Sequence, residues 1–423
     1  MIACVDRRAV GRVAALLASL ALLAPPAAVG QGVEAAGTQV PAPNDRQFVS
    51  AAEDVRITAA VPSAAEAREI FGVPLYKRSV QPVWIRVENS SDSPLWFMPA
   101  GIDPFYFTPI EAANLALKGG RDRAGSIDEV FYSQRMQLRI APGEVRSGYV
   151  FTHLDEGTKS FNVDLLGENG QRRATFFVPV PGLRVDHENV AWTDLYTADE
   201  IRDVNTAELV AGLEALPCCV TDKRGRNNGD PLNFALIGAG EDVYYALMRA
   251  GWDETETIYG SSLLKTAKSA LAGSEYRYSP VSALYVFGRA QDAALQKTRA
   301  SIHQRNHLRL WLTPMRYNGT TPVWIGQISR DIGVRLTKKT ITTHKIDPDV
   351  DETREYLLED LAYAQSIAAF GYVHGAGPAA YDAPRGNLTG DPYFTDGLRL
   401  VMFVSSQTTD ITEIELLDLG ARP

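Results

Sequence analysis

The chain has 423 residues, 45% of them hydrophobic, and a formal net charge of −9. That much apolar material can core two or three domains. The acidic balance excludes general nucleic-acid binding, which needs a basic surface able to displace counterions.

Arg7, Arg8 and Arg12 precede an apolar run from Val13 to Ala24, closed by Pro25 and Pro26. The small residues Ala28, Val29 and Gly30 follow. This order reads as an export signal over residues 1–30, and the run is shorter than the roughly 20 apolar residues of a membrane span. The Arg7-Arg8 pair does not make a twin-arginine signal, because Gly11 and Arg12 stand where apolar residues are wanted. The expectation is a periplasmic or extracellular protein, peripheral to the membrane at most; retention through an uncleaved signal is the alternative. Residues 31–50, rich in Ala, Gly, Gln and Pro, read as a disordered leader.

Residues 51–185 carry a β pattern. Alternating runs at Val55–Val61, Val83–Val87, Met136–Ile140, Tyr149–Thr152, Phe161–Leu165 and Thr175–Val180 are separated by turn signals such as Pro142-Gly143. Short strands at this spacing predict an immunoglobulin-like β-sandwich, with an inserted helix over Ile110–Leu117. The aromatics Trp96, Phe97, Phe105, Tyr106 and Phe107 are expected in its core rather than in a groove. Residues 186–222 form a helical linker. Thr197 with Glu200 and Asn205 with Glu208 have capping-box spacing, and Leu209, Leu213 and Leu216 share a stripe that Pro217 ends. Cys218 and Cys219 are either two small buried thiols or an eight-membered vicinal disulfide, which export permits.

Residues 223–410 alternate β and α elements and predict an α/β domain with a mixed sheet, followed by a tail over 411–423. The expected strands are Leu232–Ile237, Val281–Phe287, His307–Leu312, Val323–Ile328 and Leu398–Val404. The expected helices are Glu241–Ala250, Ser261–Leu271 and Pro348–Phe370. Gly238-Ala239-Gly240 stands between a strand and a helix but is no dinucleotide fingerprint. Val243 replaces the third glycine, and Glu241 and Asp242 would repel a pyrophosphate.

The chemistry-bearing residues cluster here. From Ala293 to Ile346 the chain is basic, with Asp331 its single acid. Asp347, Asp349 and Asp351 then crowd the start of a helix. A calcium loop is excluded, since its sixth and twelfth positions hold Glu352 and Leu358. Asp347 is expected as N-cap with Pro348 at the first helical position. Arg289, Arg305 and Arg309 could fork onto a phosphate or carboxylate, or pair with the acidic helix as a structural network. His303 and His307 lie four apart, and His307, His344 and Asp347 could hold zinc or manganese. No Gly-x-Ser-x-Gly elbow supports acyl transfer by serine.

Four runs carry a family resemblance. They are Gly229-Asp230-Pro231-Leu232-Asn233, Tyr278 through Asp292, Arg305-Asn306-His307-Leu308-Arg309-Leu310-Trp311, and Thr343 through Asp351. Together, in this order, they resemble the LssY carboxy-terminal domain family over about residues 220–405. The resemblance implies a bacterial envelope context, where such domains occur fused to PAP2-like or DedA-like membrane segments. It brings no catalytic residues with it. A phosphatase activity belonging to a fused membrane domain does not transfer to a chain with a β-sandwich in that place. Arg289, Asp292, Arg305, His307, Arg309, Asp331, His344, Asp347 and Asp351 are candidates because they are polar, chemically capable residues in or beside these runs. The leading expectation is an exported envelope protein without cofactor. It would bind an anionic, phosphate-bearing lipid or glycan group, or an envelope protein partner. The competing expectation is a metal-assisted hydrolase of a phosphate or ester substrate, with Asp331 or Asp351 as general base.

Overall fold

Alternation of buried and exposed side chains sets the first half of the fold. A computed structural model describes residues 39–423 except 53, 118–123, 169, 182–184, 256–280, 302–303 and 336–342. Two antiparallel four-stranded sheets come first. Their strands in chain order are β1 (Phe48–Ala51), β2 (Val55–Ala60), β3 (Val80–Asn89), β4 (Leu95–Met98), β5 (Arg139–Ile140), β6 (Val145–His153), β7 (Gly157–Gly167) and β8 (Gly170–Val180). The sheet orders are β1-β2-β3-β6 and β5-β4-β7-β8. Ile57, Val83, Ile85 and Val87 from one sheet join Phe97, Phe161, Val163 and Phe176 from the other in one core.

Two helices of this region were not expected. Helix α1 (Ala64–Phe71) opens with a reciprocal capping box between Ser63 and Glu66, and α3 (Ala124–Ser133) follows the expected α2 (Pro109–Leu117). Phe97 is buried as expected, whereas Trp96, Phe105 and Tyr106 are exposed.

The second half is built on a ten-stranded mixed sheet. Its contributors are β9 (Arg202–Val204), β12 (Phe234–Ile237), β13 (Asp253–Glu254), β16 (Ala293–Ser301), β17 (Gln304–Tyr317), β18 (Thr321–Arg335), β19 (Thr343–Ile346), β20 (Ile367–His374), β23 (Leu398–Val404) and β24 (Glu415–Leu416). The main path runs β13-β16-β17-β18-β12-β23-β20-β24, with β19 on β18 and β9 on β17. The β12–β23 neighbours are parallel, and the central β16–β17–β18 ladder is antiparallel. The linker and tail are therefore part of this sheet, through β9 and β24. A smaller sheet, β11-β10-β14-β15, is formed by β10 (Cys219–Thr221), β11 (Asn228–Pro231), β14 (Tyr285–Val286) and β15 (Arg289–Ala290). The short strands β21 (Arg385–Gly386) and β22 (Pro392–Tyr393) make a separate pair.

The large sheet is covered on both faces. On one, Leu295, Leu308, Leu310 and Ile328 pack with Val243 and Leu247 of helix α5 (Gly240–Arg249) and Leu357 and Leu361 of helix α6 (Val350–Tyr363). On the other, Trp311, Val323 and Ile325 pack with Leu209 and Leu213 of helix α4 (Thr206–Ala215), and with Val220, Leu284 and Val286 around the smaller sheet. Helix α4 carries the expected capping box of Asn205 and Glu208. Cys218 and Cys219, at the start of β10, are joined as a vicinal disulfide. Among the described residues, no helix is long and apolar enough to cross a membrane.

Three expectations require correction. The helix expected to run through Phe370 ends at Tyr363, and Ile367–His374 is a strand. Gln365 turns the chain with φ 56°, after which burial alternates with period two along much of the strand. Within this strand, a Cβ on Gly371 would lie 2.8 Å from the Leu417 carbonyl oxygen, so the glycine permits close strand approach. The N-cap is Asp349, whose side chain accepts from the backbone N–H groups of Asp351 and Glu352, while Asp347 accepts from Asp349 N one turn earlier. The expected strand Val281–Phe287 shortens to Tyr285–Val286, and the expected helix Ser261–Leu271 lies outside the described residues.

The centre of the sheet tolerates no added bulk. Gly326 faces Phe234 across β12–β18, and a Cβ on it would fall 2.0 Å from the Phe234 ring. Gly326→Ala is expected to lower stability by about 1–3 kcal/mol through overpacking. Phe234→Leu in the same chain should restore part of the loss, as read from urea unfolding midpoints.

Candidate functional site

The sequence Arg305-Asn306-His307-Leu308-Arg309-Leu310-Trp311 alternates polar and apolar residues, and β17 sends them to opposite faces. Leu308 and Leu310 enter the core with α5 and α6. Arg305, His307, Arg309 and Trp311 occupy the other face. The neighbours continue the pattern, since His307 stands opposite Gln296 of β16 and Ser329 of β18, and Arg309 opposite Gln327. Asp331 lies two residues beyond Ser329 on the same face. These groups form a polar patch continuous with the apolar face of Trp311 and Ile325, and all of them are buried.

The patch is closely bonded. His307 Nε2 lies 2.6 Å from Asp331 Oδ2, and Arg305 Nη2 lies 4.0 Å from the same oxygen. Arg305 Nη1 donates to Gln296 Oε1 at 2.8 Å. Arg309 Nη1 donates to Gln327 Oε1 at 2.9 Å, and its Nη2 donates to the Ser282 carbonyl at 3.1 Å. Asp230, held by Asn387 Nδ2 at 3.2 Å, and Asp186 are charged neighbours of Arg309. On this face Arg309 Nε, Gln327 Nε2 and Trp311 Nε1 are buried N–H groups with no hydrogen-bond partner among the described residues; elsewhere Arg78 Nε and Asn306 Nδ2 also lack one.

Burial dominates the electrostatics. It pushes the Arg309 guanidinium below its usual range against the pull of Asp230, Asp331 and Asp186. Arg305 is lowered in the same way, with Asp331 opposing. His307 is also lowered by burial, despite its contact with Asp331, and Asp230 is raised by burial. The carboxylates therefore compensate the buried positive charge only in part.

The remaining candidates lie apart from this patch. Arg289 is fully engaged, with Nε and Nη2 on the Asp292 carboxylate at 2.9 and 2.8 Å, Nη2 also on the Leu312 carbonyl, and Nη1 on the Tyr196 hydroxyl. This clamp ties β15 to β17. Asp351 accepts from the Thr395 hydroxyl and the Asp396 N–H, each at 2.7 Å, and pairs with Arg354. Asp347 belongs to the turn before α6. The side chain of His344, and His303 altogether, lie outside the described residues. Among the described residues, no group of three His, Cys, Asp or Glu side chains is placed to hold a metal ion.

Gln296, Gln327, Trp311 and Asp230 were not singled out from the sequence. The signal for them was the matched alternation of 305–311 with 327–331, but polar alternation ordinarily marks a solvent face.

His307 gives this patch a pH signature. Its folded pKa lies below the ordinary 6.5, so the unfolded chain takes up the proton first as pH falls. Its contribution to stability is complete above pH 6.5 and is lost as pH drops from there through the folded value. His307→Gln should flatten that part of the profile, so that the urea midpoint of the variant falls less than that of the parent between about pH 8 and pH 5.

Residues 212–398 match the family described as LssY C-terminus, in agreement with the resemblance carried by the four sequence runs. No curated protein matches the chain. Among solved structures, the chain is similar to the candidate lipoprotein ycdA from Bacillus subtilis at 15% identity and a TM-score of 0.18. The match covers 63% of this chain and 73% of that one, and is too faint to define a shared fold.

Proposed function

We propose that this chain, whose residues 212–398 form an LssY C-terminus domain, is an exported cell-envelope protein that binds a compact phosphate-bearing or carboxylate group between its two C-terminal sheets. The export reading rests on the Arg7, Arg8 and Arg12 cluster and the apolar run behind it. The N-terminal sandwich, read as immunoglobulin-like, serves contact with envelope partners.

One observation carries the binding reading. Arg309 Nε, Gln327 Nε2 and Trp311 Nε1 are adjoining buried donors on one sheet face, with no acceptor among the described residues. An orphaned buried N–H costs about 1–3 kcal/mol. An acceptor-rich anion would satisfy several donors together and offset the buried guanidinium charge. The tight burial of the patch favours a small oxyanion group over a bulky glycan. Arg305 and His307 line the same face, and Asp331 orients both. Arg289 and Asp292 act as the structural clamp beside the site, while Asp347 and Asp351 act in capping and bonding α6.

Calorimetric titration of the full chain with inorganic phosphate and with glycerol phosphate, at about pH 7, tests this reading. Saturable binding is expected. Arg309→Gln should abolish it. Trp311→Phe, which removes the indole N–H but keeps an aromatic ring, should weaken it about tenfold, the equivalent of about 1.4 kcal/mol. Absence of binding in a folded parent, or equal binding in parent and variants, would remove the proposal. Cell fractionation tests export separately, with the mature chain expected in the periplasmic or extracellular fraction.

A further inference from the structure

A second feature lies on the opposite face of β17, where the N-terminal sheets meet the large sheet. A cavity of about 760 Å³ opens between β8, helix α5 and strands β17 and β18. Its walls include Phe177, Leu310, Leu312, Trp192 and Trp324. Trp192 meets Trp324 edge to face, with ring centroids 5.8 Å apart. The Trp324 indole N–H is already bonded to the Gly238 carbonyl at 3.1 Å, so this wall presents only apolar surface. The volume falls within the roughly 300–1,000 Å³ of small-molecule pockets, which pair apolar walls with a few fixed polar groups.

His187 is among the polar residues that line the cavity. Behind it stands a hydrogen-bonded relay. Tyr244 Oη donates to Glu254 Oε1 at 2.9 Å and lies 2.8 Å from His187 Nδ1. Glu254 Oε2 accepts the Thr158 N–H at 2.7 Å. Because the tyrosine proton goes to the carboxylate, Tyr244 Oη is the acceptor toward His187. The relay therefore assigns the imidazole proton to Nδ1. In the neutral ring Nε2 is then a lone-pair acceptor, and no hydrogen bond to it is made among the described residues. Glu241, exposed in the first turn of α5, also lines the cavity and adds negative charge to its lining.

We propose that this cavity binds an uncharged, largely apolar molecule carrying one hydroxyl or N–H donor, such as a long-chain or polycyclic alcohol. The donor bonds His187 Nε2, the hydrocarbon fills the aromatic walls, and the negative charge of Glu241 disfavours an acid. This site is independent of the anion patch, from which it is separated by the thickness of the sheet.

The test is a fluorescence titration of the full chain with N-phenyl-1-naphthylamine, a neutral aromatic probe with one N–H donor. Saturable enhancement at one probe per chain is expected, with displacement by 1-hexadecanol at least tenfold more effective than by hexadecanoate. Trp192 is 40% exposed, so Trp192→Ala removes a wall without opening a core. His187→Phe keeps a ring and removes the acceptor. Each variant should weaken probe binding about tenfold, with circular dichroism confirming an unchanged fold. Non-saturable enhancement, or unaltered affinity in both folded variants, would overturn the assignment. Equal displacement by the alcohol and the carboxylate would overturn the choice of a neutral ligand.

Discussion

The register between Gln304–Tyr317 and Thr321–Arg335 is the constraint on which the second half of the molecule depends. It sets Arg309 against Gln327, His307 against Ser329 and Trp311 against Ile325. Because successive strand residues point to opposite faces, a slip of one position would turn Arg305, His307 and Arg309 into the core of Leu308, Leu310 and Ile328. Unpaired charges in that core would cost several kcal/mol each. Gly326 and Phe234 hold the same register from the neighbouring strand, since the phenyl ring lies over the backbone where a side chain is missing. One pairing thus fixes both the polar patch on one face and the aromatic wall of the cavity on the other.

The polar patch is costly in pure stability terms. Three cationic or imidazole side chains and Asp331 are buried together, and apolar residues of similar volume would often serve stability as well or better. The neighbouring ion pairs show what a structural solution looks like in this protein. Arg289 has four hydrogen bonds to Asp292, Tyr196 and Leu312. Arg354 is bonded to Asp396, Asp351, Glu355 and the Leu398 carbonyl. Arg399 is bonded to the carbonyls of Leu213, Leu216, Pro217, Leu232 and Gly375. Arg309 departs from these, keeping an unbonded Nε beside two further unbonded N–H groups. That contrast sets Arg309 apart from the fully bonded arginines of the same molecule.

The sequence revealed the strand centres better than their extents. His307–Leu312 and Val323–Ile328 were legible because apolar residues dominate there, whereas the observed strands run Gln304–Tyr317 and Thr321–Arg335. The extensions carry Arg305, Arg316, Arg330 and Asp331, which read as a basic block rather than as continued alternation. Helix α6 was extended too far because Ala362, Ala364, Ala368 and Ala369 suit a helix. The turn at Gln365 and the strand after it are fixed by pairing with Leu398–Val404, a partner distant in sequence. Within the site, Arg305, His307, Arg309 and Asp331 were legible as chemistry and do converge. Their separation from Arg289–Asp292 and Asp351 was not, because it depends on which strand face or helix end each residue occupies. The two-residue strands of the smaller sheet were illegible for a related reason: Tyr285–Val286 and Arg289–Ala290 carry no period, and only packing against Trp311 and Ile325 defines them.

The N-terminal sheets are attached through the relay that backs the cavity. Glu254 is buried, accepts the Thr158 N–H from β7 and receives the Tyr244 hydroxyl from α5. Burial raises its pKa, with His187 opposing, so the folded state holds this proton more tightly than the unfolded chain does. The resulting stabilisation is complete below the ordinary glutamate value and declines as pH rises through the folded one. The sign is opposite to that of His307, whose contribution is lost toward acid. Stability at the domain junction and in the polar patch therefore responds to pH in opposite directions.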